Sequence, residues 1–449
     1  MDLERLRASL ERGTGTVFDL DPGVHDVTAP LVIRHDGVEL RGTAGDVVLR
    51  RGRHADGTLF DGPLLSIAGC SAVRLSNLVI DGRRFETRAG RTVDNRHPLD
   101  ADPASAEFAC GSVLPSPQCH DPLHYGSSIA ADVLVGDATK VIFDDLLVRD
   151  PITIGIAIGP GSHDIRMHRV TVLRAGQFGL WIGAALPVRP PLPLPAEMGA
   201  RLPSGVLAED CAIERSGAAG ISIEGRDVEL RRTTLRDNHC DFPFNDNGGQ
   251  LVIDYKSDGV RLDACTITGE SALERSVFRA DVSGGRLVGH VESFAAVGIE
   301  ASGTGLSFVD TVISGVAREA IHFDGARGVL LSGGGTRLTG NHLAARRGVE
   351  PWCNGPRHNI TITNSAAQLA LGAKSGDIRI EDIHCEDGIL VWSDGSVPGL
   401  RIDGLRLRGN ALGPGPDGGT GGVAIGLDRD GQSLRGADWR LDPAPASRD

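Results

Sequence analysis

The chain has 449 residues with 59 acidic against 46 basic side chains, a formal net charge of −13, which excludes a general nucleic-acid or anionic-membrane binder because either partner needs a basic face. Its 61 glycines and 24 prolines point to many corners, and an aromatic content of 4% excludes a core built on aromatic packing. The first residues lack the apolar centre of a secretory leader and no run of about 18 apolar residues occurs, so a cytoplasmic protein without membrane contact is expected.

At the start of the chain Leu3, Leu6 and Leu10 have i, i+3, i+7 spacing, which predicts an amphipathic helix within an N-terminal cap of residues 1–30. Such a helix would cover the open end of whatever follows and block edge-to-edge association. From 31 to 430 one phrase then recurs: apolar, any, apolar, two residues, apolar, any, apolar. It runs through Val73, Leu75, Leu78 and Ile80, and again through Val141, Phe143, Leu146 and Val148. Further copies are Ile165, Met167, Val170 and Val172; Val228, Leu230, Thr233 and Leu235; and Val260, Leu262, Cys265 and Ile267. The last begin at Leu306, Ile378 and Leu400.

Period-2 alternation puts one side of a short strand inward, and the two-residue interruption turns the chain before the next strand. A third strand follows most copies, introduced by glycine: Gly155-Ile156-Ala157-Ile158, Gly179-Leu180-Trp181-Ile182, Gly220-Ile221-Ser222-Ile223, Gly298-Ile299-Glu300 and Gly388-Ile389-Leu390-Val391. Three short strands per roughly 22 residues, with no helical spacing between them, describe one coil of an all-β solenoid. The 449 residues therefore read as one domain with a C-terminal tail at 431–449.

These phrases resemble the coils of the right-handed parallel β-helix superfamily, the pectate-lyase-like fold, over roughly residues 30 to 430. The resemblance implies carbohydrate-active chemistry in a groove on one sheet. The paired-aspartate and Gly-His-Gly motifs of polygalacturonases are missing, as is the Tyr-Gly-Phe-Asp-Pro-His signature of alginate epimerases. No catalytic residue is carried over by motif.

Three insertions interrupt the coils, and in a solenoid such segments carry function. Residues 86–128 hold His97, Cys110, Cys119, His120, His124 and Tyr125; residues 184–204 are proline-rich from Pro187 to Pro203; residues 239–249 contain His239, Asp241, Asn245, Asp246 and Asn247. Eight cysteines in a cytoplasmic chain read as reduced, with Cys211, Cys265 and Cys385 at or beside inward positions as small apolar filler. Cys110 and Cys119, nine residues apart in a loop, leave a disulfide or a metal site open. The oxygen-rich 239–249 loop has ligand types that suit Ca²⁺, although Asn and Asp also favour turns for local reasons.

In the glycine-introduced strands the residues between and just after the inward apolar ones face out. Successive coils then stack Glu224, Asp254, Asp281, Glu300 and Asp324 into a predicted column of carboxylates, accompanied by Lys256, Arg279 and His322. Any solvated strand must be polar outside, but the earlier coils present Ser66, Ala157, Gly159 and Gly183 there, so charge begins where the flanking insertions begin. Like charges about 4.8 Å apart raise the pKa of some members, which lets one acid stay protonated beside an ionised neighbour. Glycosidic bond cleavage needs that pair, one acid to protonate the leaving oxygen and one carboxylate to attack or to activate water.

The catalytic candidates are therefore Asp254 and Glu300 ahead of Glu224, Asp281 and Asp324 in a glycoside hydrolase or intramolecular transglycosidase. Lys256, Arg279, His322, Trp181, Trp392, His239, Asp241 and Asp246 are the candidates for binding a carbohydrate, the tryptophans by stacking on sugar rings. A uronate lyase or epimerase using Lys256 or Arg279 as base is the alternative, as is a β-helix enzyme acting on a small biosynthetic metabolite. A non-catalytic glycan-binding protein is a further one.

Overall fold

The computed structural model describes residues 2–13, 16–42, 47–57, 59–60, 62–84, 131–176, 178–183, 201–217, 219–238, 249–269, 281–283, 286–288, 297–316, 320–323, 325–339, 341, 369–371, 375–381, 383–386, 391–393, 401–408 and 438–441. It opens with the helix Leu3–Arg12, whose Asp2 cap accepts a hydrogen bond from the Arg5 amide at 2.9 Å and which ends at Gly13 in the left-handed conformation (φ 65°). Leu3, Leu6 and Leu10 are buried and join the core of the first strands, so the apolar stripe caps that end. No helix among the described residues is long and apolar enough to cross a membrane.

Everything that follows in the coils is short parallel strand. Val17–Leu20, Gly23–Val27 and Leu31–Ile33 form the first coil, and each pairs in parallel with its counterpart one turn on, Val17 with Glu39, Val24 with Val48 and Val32 with Ser66. Repetition of this step produces a sheet of 22 described strands, which holds the first two strands of each coil, and a second sheet of 11, which holds the third. The architecture is the three-strand coil expected from the apolar phrase.

The interior is a set of stacks at one residue per coil. Phe143, Met167, Ala208, Leu230, Leu262, Phe308, Leu331 and Ile380 follow one another in register and are all buried. Where the small Ala208 falls between larger neighbours, a void of about 10 Å³ remains among Met167, Cys211, Ile213 and Thr233. That is room for at most one water, and its apolar walls make it a packing defect instead of a ligand site. Cys211 and Cys265 fill inward positions with thiols pushed up to about 11 by burial, and Cys70 is buried as well, so all three behave as apolar side chains. Cys110 and Cys119 lie outside the described residues, as do the side chain of Cys385 and the loops at 86–128 and 239–248.

In seven of the described phrases the two-residue corner is made by a single residue in the left-handed region. Asn77, Asp145, Arg169, Asp210, Arg232, Ala264 and Asp310 occupy it with φ between 47° and 54°. Asn and Asp tolerate this conformation; for Arg or Ala it costs about 1–2 kcal/mol. Both corner arginines are gripped from the preceding coil, Arg169 by Asp145 and Arg232 by Asp210, in two-point ion pairs that hold the corner shut.

Candidate functional site on the eleven-stranded sheet

On the outer face of the eleven-stranded sheet the register defines a column one residue wide. It runs Val32, Ser66, Leu134, Ala157, Trp181, Ser222, Val252, Glu300, His322, Ala370, Trp392. The early coils are apolar here: Leu134, Phe178 and Trp181 pack against Ala131, Ile154 and Ala157. Further along, the column carries three polar side chains that stay out of water, Ser222 only 7% exposed, Glu300 8% and His322 2%. Glu300 and His322 are register partners in adjacent strands, which brings a carboxylate and an imidazole to neighbouring positions on this face.

Beside this column runs a second one, formed by the residue just after each strand. The amide of Gly183 donates to Ile158, that of Glu224 to Ile182, that of Asp254 to Ile223 and that of Ser302 to Ile253, which places Gly183, Glu224, Asp254 and Ser302 in successive coils at one level. Gly183 is required by its neighbour, because a Cβ there would stand 2.4 Å from the Trp181 indole nitrogen. The Trp181 ring therefore lies over this position, and it packs on Phe178 at 5.0 Å between ring centres.

Asp254 opens a tight turn. Its carbonyl accepts the Ser257 amide at 2.9 Å, its carboxylate accepts the Lys256 amide at 3.2 Å, and the Ser257 hydroxyl donates back to the Ile223 carbonyl of the preceding coil at 2.8 Å. The turn aims the Lys256 ammonium at the Glu224 carboxylate, and the two form an ion pair. That pairing raises the Lys256 pKa and keeps the ammonium charged. Burial pushes the Asp254 carboxyl above the usual carboxylate range; the bond from the Lys256 amide opposes it and the nearby Glu224 charge adds to it. One acid whose carboxyl is pushed up by burial thus stands beside an ion-paired carboxylate, with Glu300 two residues off on the next coil.

No protein-family model and no curated protein matches the chain. Solved structures do. The A-module of mannuronan C-5 epimerase AlgE4 from Azotobacter vinelandii aligns with 91% of this chain and 93% of its own at 10% identity and a TM-score of 0.55. An exopolygalacturonase from Thermotoga maritima covers 90% and 86% at 12% identity and TM-score 0.53, and the surface protein and adhesin PfbA of Streptococcus pneumoniae 90% and 92% at 8% and 0.51. The chain is a right-handed parallel β-helix. At these identities the likeness concerns the fold alone.

Within the β-helix the expected single column of five carboxylates resolves differently. Glu224 and Asp254 do stand in adjacent coils, but Glu300 lies in the neighbouring column, because its coil places it mid-strand opposite Val252 instead of after the strand. Asp281 is not in either column: Asp281–Ser283 pairs antiparallel with Arg286–Val288 in a hairpin of its own, while Gly249–Ile253 bonds directly to Val297–Ala301. The hairpin is an excursion between two coils, so counting residues assigned it a coil it does not form.

His322 is the register partner of Glu300 in the adjacent strand, and Lys256 pairs with Glu224. The strand positions of Trp181 and Trp392 share the Glu300 column; the Trp392 side chain, together with Asp324, Arg279, His239, Asp241 and Asp246, lies outside the described residues. The sequence reading missed two features. Asn238 and Gln250 form a buried brace at the entrance to the strand before Asp254, Asn238 binding Ser216, Ile213 and Gln250 at 2.8–3.0 Å. Tyr255, exposed at 68%, stands between the two key residues of the turn. Elsewhere, His168, Glu209 and Asp210 converge closely enough for a metal, but Arg231 and Arg232 already neutralise both carboxylates.

Proposed function

We propose that this β-helix is a carbohydrate-active enzyme that cleaves or rearranges a glycosidic bond, with Asp254 as proton donor and Glu300 as the carboxylate that activates water. The observation that carries it is Asp254 itself: a partly buried acid, its carboxyl pushed above the usual carboxylate range by burial, one coil from a second acid on a sequestered face. Glu224 and Lys256 hold each other and thereby fix the turn on which Asp254 sits. Asp254 and Glu300 differ by one strand, about 4.8 Å, and by two residues along the strand, about 6.8 Å, so their backbones stand about 8 Å apart. Carboxyls of inverting enzymes stand about 6.5–9.5 Å apart to admit a water between them, and a backbone offset of this size is compatible with that arrangement. The names of two of the similar folds, an epimerase of mannuronan and an exopolygalacturonase, support a carbohydrate substrate.

A second reading, elimination or epimerisation at a uronate, is favoured by one observation, the Lys256 ammonium beside Asp254. Digestion of a glycan panel separates the two. Products heavier by one water, released with inverted anomeric configuration by proton NMR, support hydrolysis, whereas absorbance near 232 nm or deuterium uptake from D₂O supports the second reading. With Asp254 as acid, kcat/KM falls as pH rises through its raised pKa. Asp254→Asn and Glu300→Gln each lower kcat at least about 100-fold, in the range of a lost general acid or base. Full activity in both variants removes the assignment.

A further inference from the structure

The turn after the strand Gly249–Ile253 presents an aromatic ring that the catalytic reading leaves unused. Among the described residues three large apolar side chains stand out in solvent, and Tyr255 at 68% exposure is the most extreme of them, the other two being Val17 and Val24 of the first coil. Its position is held from both sides. Asp254 and Ser257 close the turn through the Lys256 and Ser257 amides, Ser257 is tied to the coil below, and Gly303 of the coil above allows that approach, since a Cβ there would come within 2.8 Å of the Ser257 carbonyl. On its other side the Lys256 ammonium stands 5.3 Å from the ring centre while it pairs with Glu224. The ring is thus oriented by a cation–π contact and fixed next to the proposed proton donor, with most of its surface bare.

Charge narrows what the ring would carry. Glu224, Asp254 and Glu300 are three acids on this face, and the Lys256 ammonium is engaged by Glu224. With Asp254 as the proton donor and Glu224 paired to Lys256, a uronate carboxylate brought here would meet the Glu300 carboxylate and a cation already committed. An uncharged pyranose would meet only hydrogen-bonding groups at its hydroxyls and an aromatic surface under its C–H face.

We infer that Tyr255 is a stacking platform that seats a neutral pyranose ring of the substrate beside Asp254. This rests on the carbohydrate reading of the face and adds to it the charge class of the sugar and the residue that holds it. Tyr255 is exposed, so its replacement leaves the folded chain intact.

The test uses the full chain with two sets of probes, neutral gluco-, manno- and galacto-oligosaccharides and oligogalacturonate or oligomannuronate, read by saturation-transfer NMR for binding and by mass spectrometry for turnover. The expected result is binding of a neutral oligosaccharide that weakens at least about fivefold in Tyr255→Ala, that Tyr255→Phe largely restores, and that Asp254→Asn retains while losing turnover. Binding through Tyr255 without turnover keeps the platform and removes the enzyme. Turnover of uronates with Tyr255→Ala silent keeps the enzyme and overturns the platform. No binding and no turnover with either set removes both.

Discussion

Replacing Asp132 with Asn should change the stability of the β-helix in a way that depends on pH with a definite sign. Asp132 and Arg51 form an ion pair in which both side chains are fully buried. Arg51 is also held by the carbonyls of Phe60 at 2.5 Å, Gly62 at 2.8 Å and Gly82 at 3.2 Å, so its hydrogen-bonding needs do not rest on Asp132 alone. Asp132 is less well provided: Oδ1 accepts from Arg51, but Oδ2 is buried and receives no hydrogen bond. Burial therefore outweighs the Arg51 attraction and pushes the carboxyl up to about 6 from a reference of 3.8.

Between about pH 4 and pH 6 the folded chain keeps a proton at Asp132 that the unfolded chain has lost. Stability consequently falls as pH rises through that window, by about 3 kcal/mol at 1.36 kcal/mol per pKa unit. Asn reproduces the shape of the protonated acid and carries no such proton. Asp132→Asn should match the wild type near pH 4 and exceed it by up to about 3 kcal/mol at pH 7. Equilibrium urea denaturation followed by circular dichroism across that range measures the gap. A variant that is weaker than the wild type at pH 7, or that loses ground as pH rises from 4 to 7, would show that Arg51 outweighs burial and refute the reasoning.

Asn238→Ala removes a side chain that accepts from the Ser216 amide and donates to the Ile213 carbonyl and to Gln250, leaving buried groups without partners. It should cost about 2–4 kcal/mol by the same denaturation. At the corner residue Ala264, exposed and at φ 52°, glycine removes the Cβ strain at the expense of a more flexible unfolded chain, so Ala264→Gly should raise stability by about 0.5–1 kcal/mol. An unchanged or lower midpoint for Ala264→Gly would mean that the corner is not strained.

The architecture was legible because a strand facing a core repeats every second residue and nothing else in the chain has to be known to see it. Val141, Phe143, Leu146 and Val148 announce two strands and a corner by themselves, and all four are buried as that pattern requires. The corner conformation was only half legible. Asn77 and Asp145 are ordinary choices for the left-handed region, but Arg169 and Arg232 carry no such signal, and they sit there because an aspartate one coil earlier binds each of them. That aspartate is more than twenty residues away in sequence and adjacent only after coiling.

The candidate site divides in the same manner. That Glu300 and His322 share a column followed from counting outward positions, since both stand mid-strand between apolar neighbours. The offset between Glu300 and the pair of Glu224 and Asp254 did not follow, because alternation shows which face a residue takes and leaves open how far along the face its strand has slid. Tyr255 escaped notice because it belongs to a turn, where no periodicity marks which way a side chain points.

By itself, then, the sequence determined the coil, its three strands, the capping helix and the face on which acids gather, all of which depend on apolar spacing over a few residues. The tertiary structure decided which acids meet: the hydrogen bonds between coils set the register that joins Glu224 to Lys256 and Asp254 and put Asp281 into a hairpin. Spacing within a strand is local, whereas registry between coils depends on loops of unequal length and is settled only when the strands pair.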